Sequence, residues 1–133
     1  MKNQGIKKQY YSQKHIVENY ENFRFGGDLG KIISDKETNA IMEILQKYMT
    51  NQSKIIDILC GIGRLLERLI ESAADKNNII GCDYSPAMLD CCAKKFASVG
   101  FKFCRCDIFN LPIKNESIDI VASIRFLSHY AAT

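Results

Sequence analysis

The chain has no apolar run near the ~20 residues that a membrane-spanning helix needs, so no membrane association is expected. It has no apolar stretch near its N-terminus of the kind that directs secretion, and an exported product is not expected either. It has no marked excess of charge of one sign. Eighteen basic against 15 acidic residues leave +3, too little and too scattered to point to nucleic acid. The densest basic group (Lys2, Lys7, Lys8, Lys14) reads as a solvated N-terminal segment rather than a binding patch. There is no C-x-x-C, no internal repeat and no low-complexity segment, and no metal site is expected. The six cysteines are Cys60, Cys82, Cys91, Cys92, Cys104 and Cys106. They fall in apolar strand-like runs or a helical pattern, so they read as buried free thiols acting as small hydrophobes. That favours a reducing cytoplasm.

What the chain does have is an ordinary globular composition, 47% hydrophobic and 25% charged over 133 residues, enough for one domain with a modest core. Residues 1–50 read as an N-terminal lid segment followed by a helix, and residues 51–133 as the core. The lid is polar with interleaved aromatics, and Gly26, Gly27 and Gly30 mark a flexible turn. Asp35 reads as the N-cap of a helix over 36–49, with Ile41, Ile44, Leu45 and Tyr48 at helical spacing.

The core then alternates. Lys54–Leu59 is a strand apolar on both faces, as central parallel strands are. A helix follows over 63–74, a strand over Ile79–Asp83, and a helix opened by Ser85 as cap and Pro86 at the first position. Gly100 closes that helix. Strands over Phe101–Cys106 and Ile118–Ile124 complete the pattern. Such alternation predicts an α/β fold, a parallel sheet with helices on both faces.

The chemistry is concentrated at the carboxyl ends of the strands, where open α/β sheets bind ligands. After the first strand comes Leu59-Cys60-Gly61-Ile62-Gly63, where two glycines let the backbone turn sharply beside a ligand. Three acids sit at or near successive strand ends: Asp57, Asp83 and Asp107. Asp83 lies at the distance past the glycines that puts an acid on ribose hydroxyls. Asp107 could accept from an adenine amine while Ile108 packs on the ring. Asp57 could meet an ammonium group or bond to the neighbouring turn. A dinucleotide is disfavoured. The third position of its glycine fingerprint is Leu66, and an acid inside the first strand is unhelpful near a pyrophosphate. S-adenosylmethionine carries no phosphate and has an ammonium group, which suits an acidic glycine turn better.

The segments I-I-D-I-L-C-G-I-G-R-L-L, I-I-G-C-D-Y-S-P-A-M-L-D and C-D-I-F-N-L-P-I-K-N-E-S-I-D-I-V-A-S, in this order, resemble the class I S-adenosylmethionine-dependent methyltransferases. The lead-in Y-E-N-F-R-F-G-G is similar to the lid of small-molecule members akin to quinone-biosynthesis enzymes. The resemblance implies a Rossmann-like sheet and methyl transfer to a small-molecule acceptor. Asp57, Cys60, Gly61 and Gly63 would line the methionine end of S-adenosyl-L-methionine. Asp83 would hold the ribose, Tyr84 and Met88 would lie beside the adenine, and Asp107 and Ile108 would hold its edge and face. Ser123 and Arg125 would border the methyl group, and Arg24 is a candidate for the cofactor carboxylate. If the acceptor must lose a proton, His129 or Tyr20 is a candidate base. Leu59 stands where the family usually has glycine, and a leucine there would crowd the loop.

The family sheet has seven strands ordered 3-2-1-4-5-7-6, and the pattern here supplies the first four (order 3-2-1-4). The expectation is a C-terminally partial sequence that carries the cofactor half. The open edge of its fourth strand could then pair with another chain or a second copy. The alternative is a catalytically silent cofactor-binding or interaction module.

Overall fold

The computed structural model of the chain describes residue 10, residues 13–20 and residues 26–125. Two helices precede the sheet, α1 over Lys14–Glu18 and α2 over Asp28–Tyr48. Then come β1 (Ile55–Ile58), α3 (Arg64–Leu69), β2 (Ile79–Asp83), α4 (Pro86–Lys95), β3 (Lys102–Arg105) and β4 (Ile120–Ala122). A short 3-10 turn, Lys76–Asn78, leads into β2. The strands form one all-parallel sheet in the order β3-β2-β1-β4, as predicted. All four residues of β1 are buried, the burial its two-faced apolar pattern requires of a central strand.

Alternation along β1 splits the core in two. Ile55 joins a cluster with Met42 and Leu45 of α2, Leu65, Leu66 and Leu69 of α3, and Leu89, Cys92 and Phe96 at α4. Ile56 and Ile58 face the other way, against Cys82 and Cys106, with Ile108, Leu111, Ile113 and Ile118 packed over them. Among the described residues the three longest helices therefore gather on the Ile55 face. The segment between β3 and β4 covers the opposite one.

Three expected boundaries change, one of them at α3, which ends at Leu69 rather than at residue 74. Helix α2 starts at Asp28, with Gly27 as its N-cap, so Asp35 lies inside it. Asp28 suits the positive end of the helix dipole, and the Asp35 carboxylate is taken up by Arg68 of α3 at 2.7 Å. Helix α4 ends at Lys95 rather than at Gly100. Gly100 instead makes the left-handed turn (φ +92°) that enters β3. The cap at Ser85 holds: its hydroxyl accepts from the Met88 N–H at 3.2 Å, with Pro86 behind it.

The reading of all six cysteines as free thiols is corrected for two. Cys82 and Cys106 form a disulfide, while Cys60, Cys91, Cys92 and Cys104 remain free. Parallel pairing sets Asp83 opposite Arg105. The next residue of that chain, Cys106, then has its Cα 6.1 Å from that of Cys82, within the span a disulfide bridges.

Candidate functional site

The site is built on the turn between β1 and α3. Leu59, Gly61 and Gly63 all have positive φ, at 60°, 56° and 84°. For a residue with a side chain that conformation costs about 1–2 kcal/mol, and Leu59 bears this cost. Its side chain does not fill the turn alone; it also packs against the Ile56–Cys82 cluster. The two glycines differ in what surrounds them. A methyl group at Gly63 would overlap the Phe96 ring, whereas one at Gly61 would point into open space. Gly63 is thus needed for packing, and Gly61 leaves room for a ligand.

Asp83 straps this turn to the end of β2. One carboxylate oxygen accepts from the Gly61 N–H and the other from the Ser85 N–H, each at 2.9 Å. The Cys60 N–H donates to the Cys82 carbonyl, and the Gly63 N–H donates to the Cys60 carbonyl. The Cys92 thiol donates to the Gly61 carbonyl at 3.1 Å. Its hydrogen bond with Cys60, together with burial and the nearby Asp57, pushes the Cys60 thiol well above its usual range. A thiol so held is poorly reactive.

A cavity opens where the turn, the exit of β4 and the N-terminal region meet. Tyr20, Asp57, Gly61, Arg64, Ile124 and Arg125 line it, with Cys60 beside them. Asp57 is fully buried. Desolvation, reinforced by the Asp83 charge and only partly opposed by Arg64, pushes its carboxyl up to about 8. At the rim, Glu37 of α2 accepts from Arg64 at 3.0 Å and from the Arg125 Nε at 3.0 and 3.1 Å. Burial raises the Glu37 carboxyl, but the two guanidiniums outweigh it and hold the group below its usual value. Arg125 also has a positive φ of 62°.

The residues singled out in the sequence divide between two places. Asp57, Cys60, Gly61, Arg125 and Tyr20 meet at the cavity. Gly63 and Asp83 support its turn from behind. Tyr84 lies beneath the Arg105 guanidinium, 5.2 Å from its ring centre. Met88 is buried against Val17 and Ile62. Asp107 closes its own turn by accepting from the Phe109 N–H at 3.2 Å, and Ile108 packs on the Ile56–Cys82 cluster. The Ser123 hydroxyl donates to the Ile58 carbonyl at 2.7 Å. His129 and Arg24 lie outside the described residues. Arg64 and Glu37 were not anticipated. Arg64 stood inside the glycine segment and could have been marked, but nothing distinguishes Glu37 from any polar residue on a helix.

Residues 55–133, more than half of the chain, match the family described as a methyltransferase domain. The chain belongs to this methyltransferase family. Solved methyltransferases that share its fold carry S-adenosylmethionine or S-adenosylhomocysteine. The chain is 37% identical over 87 residues to a ubiquinone/menaquinone biosynthesis C-methyltransferase of Campylobacter jejuni, covering 62% of this chain and 36% of that protein. It is 28% identical over 123 residues to a demethylmenaquinone methyltransferase of Staphylococcus epidermidis, covering 90% and 48% respectively. These relatives bear out the likeness to the quinone-biosynthesis branch. The methyltransferase chain described here spans about a third to a half of their length. In fold it is similar to magnesium protoporphyrin IX methyltransferase from Synechocystis (TM-score 0.72, 18% identity, 96% of this chain and 64% of that one).

Proposed function

We propose that this chain is the cofactor-binding half of an enzyme that transfers a methyl group from S-adenosylmethionine to a small-molecule acceptor. The observation that carries the proposal is the cavity itself. It joins a buried acid, Asp57, a glycine with open space before it, Gly61, and the exit of β4 at Arg125. These residues fit the group. Asp57 would face the ammonium of its amino acid end, Gly61 would let the backbone approach it, and Ser123 would lie toward the methyl. Asp83 would reach the ribose past the turn it straps. Asp107, Ile108, Tyr84 and Met88 would mark the adenine side.

The bound sulfonium supplies an already activated methyl group. The residues of the chain then need to align it with the acceptor and keep water out. Tyr20, which lines the cavity, would orient the acceptor or take its proton, a role open also to His129. The relatives named for ubiquinone, menaquinone and demethylmenaquinone favour a quinone-type small molecule as acceptor.

Calorimetry with S-adenosylhomocysteine tests the proposal. Saturable binding, lost in Asp83→Ala, is expected. Saturable binding of NAD without binding of S-adenosylhomocysteine would overturn it. No helix among the described residues is long and apolar enough to cross a membrane. A cytoplasmic location is favoured by the four free thiols and opposed by the Cys82–Cys106 disulfide. Self-association would use β4, one of the two edge strands of the described sheet, where Val121 is 64% exposed.

A further inference from the structure

The rim of the cavity holds an arrangement that cofactor binding at Asp57 and Gly61 does not use. Arg64 stands at the start of α3, directly after the glycine turn, and Arg125 follows β4. These two guanidiniums reach the same carboxylate, Glu37 of α2, across sequence separations of 27 and 88 residues. Arg125 grips it in bidentate fashion, its Nε at 3.0 Å and its terminal nitrogen at 2.9 Å from the same oxygen. Both arginines line the cavity as well. Two guanidiniums set around one carboxylate form a receptor of defined shape for a planar anion. Arg125 is held there in a left-handed backbone conformation. Backbone strain of that kind clusters at ligand clamps and switches.

We infer that Glu37 is an internal stand-in for a ligand carboxylate: it occupies the Arg64–Arg125 receptor in the ligand-free chain and yields it to the carboxylate of the cofactor's amino acid end. This rests on the proposed cofactor reading, which sets that end at Asp57 and Gly61, against the same cavity wall. The cofactor's ammonium and carboxylate are borne on one carbon. A ligand whose ammonium meets Asp57 therefore presents its carboxylate to whatever cation flanks the turn, and among the residues lining the cavity those cations are Arg64 and Arg125.

The exchange has a mechanical consequence. Glu37 ties α2 to both α3 and the exit of β4, and Asp35–Arg68 is a second tie between α2 and α3 alone. Displacing Glu37 releases the contact to the β4 exit and leaves the Asp35–Arg68 tie in place. Helix α2 thus stays docked through Met42 and Leu45 while its Glu37 turn is free to move. Because the ligand must compete with Glu37, its apparent affinity is reduced by the fraction of chains in which Glu37 holds the site.

Three variants and two ligands test this by calorimetry. The ligands are S-adenosylhomocysteine, which carries the carboxylate, and 5′-methylthioadenosine, which lacks the amino acid end. Glu37→Gln keeps the shape and removes the charge. It is expected to tighten S-adenosylhomocysteine about two- to fivefold, the size of a part-exposed ion pair, and to leave 5′-methylthioadenosine unchanged. Arg125→Gln is expected to weaken S-adenosylhomocysteine alone. Asp35→Asn, which removes the neighbouring tie, is expected to change neither.

Equal tightening of both ligands by Glu37→Gln would mean that the arginines do not read the carboxylate, and would overturn the inference. So would unchanged or weaker S-adenosylhomocysteine binding, which would make Glu37 a fixed support. In those outcomes the wild-type chain still binds S-adenosylhomocysteine and the cofactor reading stands. Failure of wild type and all variants to bind it overturns both.

Discussion

At the scale of single residues, the two glycines of the turn have separate duties. Gly61→Ala adds a methyl group in open space, so its cost to stability is the left-handed backbone alone, about 1 kcal/mol. Gly63→Ala adds an overlap with the Phe96 ring to the same backbone penalty, about 3 kcal/mol in all. Denaturant unfolding is expected to rank them in that order, and calorimetry to show the loss of S-adenosylhomocysteine binding in Gly61→Ala at little cost in stability. Asp57 gives a pH signature. Its carboxyl is raised from 3.8 to about 8 in the folded chain, first by desolvation and then by the Asp83 charge. Between those values the folded chain holds more protons than the unfolded one, so stability falls as pH rises and levels off above about 8. Asp57→Asn removes this fall. Unfolding midpoints should then favour the variant at pH 9 and converge with wild type toward pH 4; equal midpoints at pH 9 would refute the assignment.

At the scale of elements, α3 and β2 meet at Gly81. A Cβ there would lie 2.9 Å from Leu66 Cδ1 and 3.0 Å from Phe103 Cδ1. Dinucleotide folds place their third glycine on the helix to permit close helix–strand packing. Here the helix carries Leu66, wholly buried, and the strand supplies the missing side chain. Leu66 at that position speaks against a dinucleotide, and its reason is this reversed packing. Gly81→Ala should cost about 1–3 kcal/mol by overpacking and Leu66→Ala about 2–5 kcal/mol by leaving a cavity. Because the added and deleted atoms share one space, the double variant is expected to lose measurably less than the sum, in a double-mutant cycle of unfolding free energies. Strict additivity would show that the two side chains do not compete.

At the scale of the whole molecule, the described sheet is open at β4. Its central neighbour β1 is fully covered, yet Val121 of β4 is largely exposed. An exposed apolar edge strand offers unpaired backbone groups to another chain. Sedimentation of the chain is expected to show concentration-dependent self-association, with Val121→Lys shifting it toward monomer. A wild-type chain that stays monomeric at high concentration would remove β4 as a pairing edge.

The alternation of apolar runs and glycine or cap signals by itself determined four parallel strands and the position of the glycine turn, because local propensity and burial act over neighbouring residues. The order β3-β2-β1-β4 came from the resemblance of the three motif segments to a known family. The acid inside the first strand, together with Leu66, likewise disfavoured a pyrophosphate and pointed toward S-adenosylmethionine, because residue type is read without knowing the fold. Long-range proximity was decided only by the tertiary structure. It paired Cys82 with Cys106, turned Asp83 back onto the Gly61 amide, and carried Glu37 from a helix before the sheet to Arg64 and Arg125. None of those contacts leaves a local pattern: a polar residue on a helix looks the same in sequence whether it faces water or two arginines.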